Sequence, residues 1–274
     1  MGARTRYRFE FHYRPGLSLP ADRLARLVGE LREVGATCFD PLPGYQCFVG
    51  TPVELADKVI TVARRPDGTM AGFCSAVLLP VEGCGDVLHL GLTCVRPDDR
   101  GAGLTHLLTA KLMTRHVFLY APIGRVWITS VACVLSSLGS VALNAEQVYP
   151  SPFGPAEPGA AHRAIAAAID RRYRHKAAIN AAARFDPKAF VFRGSVEGTV
   201  FEKRAADTRF HHRSPALNDF YLGLMAMENG DEVLQVGHVS PLTLLRHAVT
   251  KQLLPRLRAL KPRKRLAAPE GGAA

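Results

Sequence analysis

Leu92-Thr93-Cys94-Val95-Arg96-Pro97-Asp98-Asp99-Arg100-Gly101-Ala102-Gly103-Leu104-Thr105 is the stretch that decides how the rest of the chain reads. Its opening residues finish a strand-like run over residues 86–95, and its last ones begin a long amphipathic helical pattern over residues 103–119. Gly101 and Gly103 thus fall directly after a strand and directly before a helix. With no Cβ at those points, backbone N–H groups can converge on an anion where the helix dipole adds partial positive charge. A phosphate suits that junction. The spacing is neither the three-glycine dinucleotide fingerprint nor the lysine-bearing loop of nucleoside triphosphatases.

Upstream, residues 4–13 alternate charged and aromatic side chains as a strand with one buried face does, until Pro15 and Gly16 break it. Leu24, Leu27, Val28, Leu31 and Val34 then recur at helical spacing over residues 21–34, and Gly35 closes the pattern. Residues 59–63 and 69–79 read as strands joined by a turn at Asp67-Gly68, a pair suited to positive φ. Downstream come a strand over 125–134 and a helix over 136–148. The order is strand, helix, three strands, helix, strand, helix.

Past the Pro- and Gly-rich residues 150–158 the pattern is mixed. An Ala-rich helix with a basic face is expected over 162–183, a hairpin from 190–192 and 199–201, and a further strand over 232–239. Leu242, Leu245, Val249, Leu253 and Leu257 share one face of a last helix over 241–260, opposite many basic residues. Such a helix can lie on an anionic membrane or pack on the domain with its basic side in water.

The 274 residues carry a net charge of +11, much of it in the last thirty residues, which favours phosphate-bearing partners. Hydrophobic residues at 47% and charged residues at 22% argue against wholesale disorder and against a polytopic membrane protein. Six cysteines without a Cys-x-x-Cys pair read as buried free thiols in a reducing compartment. No signal peptide, transmembrane run or metal-ligand spacing is evident, His211 and His212 included. A cytoplasmic location is expected, peripheral at the inner membrane surface if the last helix docks there.

The string Val-x-Pro-x-x-Arg-Gly-x-Gly-Leu at Val95, Pro97, Arg100, Gly101, Gly103 and Leu104 resembles the acyl-CoA motif of the GNAT acyltransferase superfamily. Asp67 to Phe73 resembles that family's hairpin between its second and third strands, and the element order read above is also the family's. The resemblance spans roughly residues 5–150. It implies an α+β fold, a GNAT-like mixed and mostly antiparallel central sheet flanked by helices, here with a C-terminal α/β extension. It implies direct transfer of an acyl group from acetyl-CoA or another acyl-CoA to an acceptor, usually an amine. Thr93, Cys94 and Val95 would then serve the pantetheine arm, and Arg100, Gly101, Ala102, Gly103, Leu104 and Thr105 would wrap the pyrophosphate. The family usually has Gly or Ala where this chain has Thr105.

Three segments are expected: 1–150 as the acyl-CoA domain, 151–240 shaping the acceptor site, and 241–274 as a basic helix and tail. Transfer to an amine needs a base for the amine and a proton for the departing thiolate. Tyr149 is the candidate acid, at the place where the family often puts one. His89 and Glu146 are candidate bases, His89 because its proton exchanges near neutrality. Phe118, Leu119, Tyr120 and Trp127 near the expected acyl end would suit a long-chain donor or a lipid-like acceptor, and otherwise a small molecule is the acceptor. Two other readings stay open: an acyl-CoA-binding or regulatory module without transfer, and a basic membrane-surface or nucleic-acid-binding protein. Nucleic acid is the less favoured partner, since aromatic platforms interleaved with basic residues are missing. The oligomeric state is not readable.

Overall fold

The computed structural model describes residues 6–248. The strands are β1 (Arg8–Tyr13), β2 (Lys58–Arg64), β3 (Met70–Val81), β4 (Gly85–Val95), β5 (Val126–Ala132), β6 (Glu146–Tyr149), β7 (Arg184–Asp186), β8 (Val191–Arg193) and β9 (Glu232–Val239). The main helices are α1 (Ala21–Ala36), α2 (Leu104–Tyr120), α3 (Leu135–Asn144), α4 (Ala160–Ala168), α5 (Pro215–Leu222) and α6 (Pro241–Ala248). All strands join one sheet in the order β1-β2-β3-β4-β5-β9-β8-β7, with β6 alongside the second half of β9. Every pairing is antiparallel except β4 with β5. The mixed, mostly antiparallel sheet flanked by helices is therefore present, and strands from beyond residue 150 continue it.

Apolar alternation divides the core between two faces of the sheet. On one, α2 lays Leu104, Leu108, Leu112 and Val117 over Ala76, Leu88 and Ile128, and α3 and α5 cover Val191 and Val233. On the other, α1 packs Leu24, Leu27, Leu31 and Val34 with Phe48 against Ile60, Val62 and Phe73. Farther along that second face, Ile165, Ile169 and Tyr173 meet Val77, Trp127, Leu234 and Val236. Fully burying one such Leu or Ile contributes about 1.5–3 kcal/mol.

Several expected elements differ in extent. Gly35 does not end α1 but lies inside it, because the helix crosses the Phe48 ring there and a Cβ at 35 would lie 2.5 Å from that ring. The helix expected over 136–148 stops at Asn144, and residues 146–149 form β6, drawn out by pairing with β9. Gly237 lets β6 approach, since a Cβ there would meet the Val148 side chain at 2.8 Å. The helix expected over 162–183 is regular only as α4, then becomes a wide turn at Ile169–Tyr173 and a tight one at Arg174–Ala177. The hairpin near 190 is made by β7 with β8 instead of residues 199–201. The continuation of the last helix to 260, the tail, and the expected start of the first strand lie outside the described residues.

Gly35→Ala should therefore destabilise the protein by about 1–3 kcal/mol, the usual cost of overpacking, despite alanine's better helix propensity. Urea unfolding followed by circular dichroism gives the value, and a neutral or stabilising result would contradict this packing.

Candidate functional site

β4 and β5 share hydrogen bonds only from Leu88 to Leu90 against Ile128 to Ser130. Beyond that point the two parallel strands pair with each other no further. β4 bulges there, with Gly91 and Leu92 set against Ser75 alone, and the Gln46 side chain fills the space beside Gly91, where a Cβ would lie 2.4 Å from the amide. Ser75 Oγ donates to Gln46 Oε1 at 2.9 Å and fixes that wedge. The opening is a cleft of about 700 Å³. Thr105, His106 and Thr109 of α2 and Ser137 and Ser140 of α3 line it from one face, and Phe39, Tyr45 and Phe201 from the other.

The loop after β4 ends at the mouth of this cleft. Gly101 and Gly103 take φ of +78° and +73°, the left-handed region that side chains other than glycine rarely tolerate. Gly103 precedes α2 with no side-chain cap and no acidic residue in the first turn, so the first helical N–H groups have no carboxylate competing for them. Thr93 and Thr105 line the cleft, whereas Cys94, Val95 and Leu104 are buried in the core and offer only backbone. Gly101, Ala102 and Gly103 are exposed. Arg100 folds back: its Nε donates to Val95 O at 3.1 Å, bracing the end of β4.

Asp99 anchors the loop from below. It is 1% exposed and accepts hydrogen bonds from the Tyr7 hydroxyl at 2.6 Å and from Arg65 Nη2 at 2.5 Å. Burial alone would raise its pKa, but the bonds from Arg65 and Tyr7 hold the carboxyl below the ordinary carboxylate range. The Asp99 charge is thereby offset by Arg65. The six cysteines are all free thiols.

The three expected proton-transfer residues are not brought to this cleft. His89 is 1% exposed, its Nδ1 lies 3.0 Å from Thr129 Oγ1, and burial lowers its pKa to about 4. Tyr149 donates its hydroxyl to Lys188 O at 2.7 Å and packs edge-on to Phe190, and burial raises its pKa. Glu146 lines a different cavity, with Thr243 Oγ1 donating to it at 2.9 Å. Phe118, Leu119, Tyr120 and Trp127 also lie outside the cleft, since Phe118, Leu119 and Tyr120 end α2 at the far side from the loop and Trp127 lines that same second cavity.

A carboxylate does line the cleft: Glu232, the first residue of β9. It is 7% exposed, and burial raises its pKa to about 7, with the Ser195 hydroxyl at 2.6 Å and the Lys203 charge pulling the other way. Tyr45 shares the cleft, its hydroxyl accepting from Gln46 Nε2 at 3.3 Å, and its pKa is raised by burial and by the Glu232 charge. The sequence held a signal for Glu232 that went unread. Glu232, Gln235 and His238 are polar residues in a strand buried along its whole length, and such groups need partners or a function.

The sequence of elements β1-α1-β2-β3-β4-α2-β5-α3, with the glycine loop between β4 and α2, is the order that the resemblance implied. The mixed, mostly antiparallel sheet with helices on both faces is likewise what the resemblance implied. No family model and no curated protein matches the chain. Among solved structures, it is similar to an acyl-CoA N-acyltransferase from Pseudomonas aeruginosa at 18% identity, covering 54% of this chain and 95% of that one, with a TM-score of 0.38. It is also similar to a GNAT family acetyltransferase from Brucella melitensis in complex with acetyl-CoA, at 18% identity over 45% of this chain and 75% of that one, TM-score 0.32. A third likeness is to a GNAT family N-acetyltransferase from Escherichia coli in complex with CoA, at 21% identity over 58% and 72%, TM-score 0.28. These are partial likenesses of fold.

Asp99→Asn removes the charged partner of Arg65 and should cost about 1–3 kcal/mol at neutral pH. Because the folded pKa is lowered, the carboxylate's contribution is complete above the unfolded value of about 3.9 and is lost as pH falls through the folded value. Urea midpoints of wild type and variant should differ by a constant amount at pH 5 and pH 7, and the gap should start to narrow below about pH 4. A gap as wide at pH 3 as at pH 7 would contradict the ion pair as its source.

Proposed function

We propose that this chain is a GNAT-type, acyl-CoA-dependent N-acyltransferase, with acetyl-CoA as the first donor to test and direct transfer to an amine. The carrying observation is that one cleft joins an uncapped helix N-terminus at its mouth to a buried carboxylate of pKa about 7 within it. Backbone N–H groups of residues 101–105 and the positive end of α2 suit a pyrophosphate. The edge of β4 past Leu90, left unpaired by β5, suits the amides of a pantetheine arm. An acyl-CoA supplies a thioester carbonyl as the electrophile.

Glu232 then takes a proton from the acceptor amine, a role for which a pKa near the working pH is suited. Tyr45 already accepts the Gln46 amide N–H, so its own hydroxyl proton is available to a thiolate leaving group. His89, Tyr149 and Glu146 have no part in this reading. Phe39, Phe201 and Phe210 in the cleft wall favour an acceptor with an apolar portion, small or lipid-like. The proposal includes peripheral contact with anionic lipid, supported by exposed Phe118, Leu119, Ile123, Leu242 and Leu245 and by the basic C-terminal sequence. No helix among the described residues is long and apolar enough to cross a membrane.

Acetyl-CoA titration calorimetry with an amine screen tests the proposal. Wild type should bind, Arg100→Ala with Gly103→Val should not, and Glu232→Gln should bind normally while losing roughly 10²–10⁴-fold in kcat. The base works deprotonated, so kcat/KM should rise with pH through about 7 in wild type and lose that inflection in Glu232→Gln. Absence of binding near millimolar acetyl-CoA would sink the proposal. Binding without turnover on any amine would favour the regulatory module instead.

A further inference from the structure

A second cavity, of about 720 Å³, opens at the start of β5, the opposite end of that strand from the acyl-transfer cleft. Arg125, Trp127, Glu146, His162, His238 and Arg246 are among its lining residues. Its volume falls in the range of small-molecule sites, roughly 300–1,000 Å³. We infer that it is a second ligand site, taking a phosphate-bearing small molecule through Arg125, His238 and Arg246.

The charge is suited to that ligand. Two arginines face one carboxylate, and Glu146 is already engaged by the Thr243 hydroxyl, with His238 Nδ1 and Arg246 Nη1 each 3.9 Å from it. The Arg125 guanidinium lies over the Trp127 ring, 5.0 Å from its centre, which pre-orders a fork suited to two phosphate oxygens. Trp127 is in turn held edge-on by His162 at 5.4 Å and by His238 at 5.3 Å.

The two histidines differ in how their nitrogens are used. His162 accepts from Gly159 N at 3.2 Å and lies 2.6 Å from Gln147 O, so both ring nitrogens are engaged within the protein. His238 is 8% exposed, yet its Nδ1 has no hydrogen-bond partner, since 3.9 Å from Glu146 is too long for one. Nearly all buried polar atoms of folded proteins are satisfied, so an enclosed, unpartnered Nδ1 beside a cavity favours a group that enters with a small turn of the imidazole.

Proton uptake follows from the surroundings. Burial holds His238 below its ordinary pKa, Arg125 and His162 add to that, and Glu146 opposes them. The charged groups facing it come from the residue before β5 and from α4, β6 and α6, namely Arg125, His162, Glu146 and Arg246. An oxyanion beside the ring favours the imidazolium, so affinity for an anion of fixed charge rises as pH falls.

Trp127 is the single tryptophan of the chain and lies in the cavity wall, so its fluorescence reports on this site. Sulfate, inorganic phosphate and glycerol phosphate are titrated into the full chain. The inference expects a saturable change for each, sulfate binding several-fold tighter at pH 6 than at pH 8, and the monoester at least about tenfold tighter than inorganic phosphate because the cavity exceeds one oxyanion. Arg246→Gln, at an exposed rim position, and His238→Asn should each weaken binding at least about tenfold, while Arg100→Ala leaves it unchanged. No saturable change in wild type, the same affinity in Arg246→Gln, a monoester no tighter than phosphate, or loss of the signal on saturation with coenzyme A would each overturn it. None of these outcomes depends on acyl transfer.

Discussion

Past Leu90 and Ser130 two neighbouring parallel strands stop sharing hydrogen bonds, and most of the rest of the site follows from how that gap is kept open. Unpaired strand edges inside a protein are costly unless something else meets their N–H and C=O groups. On the β4 side the gap is enforced by the Gly91 bulge and the Gln46 wedge, which bend the strand away. On the β5 side it is enforced by β9, which pairs with β5 along its whole length from Val126 to Ala132 and leaves it no freedom to follow β4. A ligand with amides of its own, such as a pantetheine arm, is a natural partner for the β4 edge.

Electrostatics then separates the ends of the cleft. At its mouth, Arg65 offsets the Asp99 charge beneath the loop, which lessens what opposes the dipole of α2 from behind. Deeper in, the balance is closer. Burial raises the Glu232 pKa, and the Ser195 hydroxyl and Lys203 restrain the rise so that it settles near neutrality.

The first half of the fold was legible because its signals are local. Apolar periods of 3.6 and 2, the Asp67-Gly68 turn with Gly68 at φ +89°, and the paired glycines at 101 and 103 each act within a few residues of where they stand. The failures share the opposite property. Gly35 looks like a helix stop until Phe48 is placed against it, and residues 146–149 continue a helical pattern until β9 and Gly237 claim them. The lining of the cleft was hidden for the same reason. His89 and Tyr149 are near the loop or its expected partners in sequence, whereas Glu232 reaches the cleft from more than a hundred residues away, through strand pairing that no local pattern records.

β9 ties the two cavities into one design. Glu232 and His238 are six residues apart on the same face of a strand that is buried throughout, so their separation is about 20 Å at roughly 3.3 Å per residue. A register slip of one residue would turn both away together, and pairing with β5 on one edge and with β8 and β6 on the other fixes the register. At about 20 Å a charge arriving beside His238 acts on Glu232 with about 0.8 kcal/mol at an effective dielectric near 20, because salt screens buried groups only weakly. A mechanical influence would have to travel as a displacement of β9 within the sheet, which its dense pairing resists. The structure thus favours two sites that are rigidly spaced and only weakly coupled.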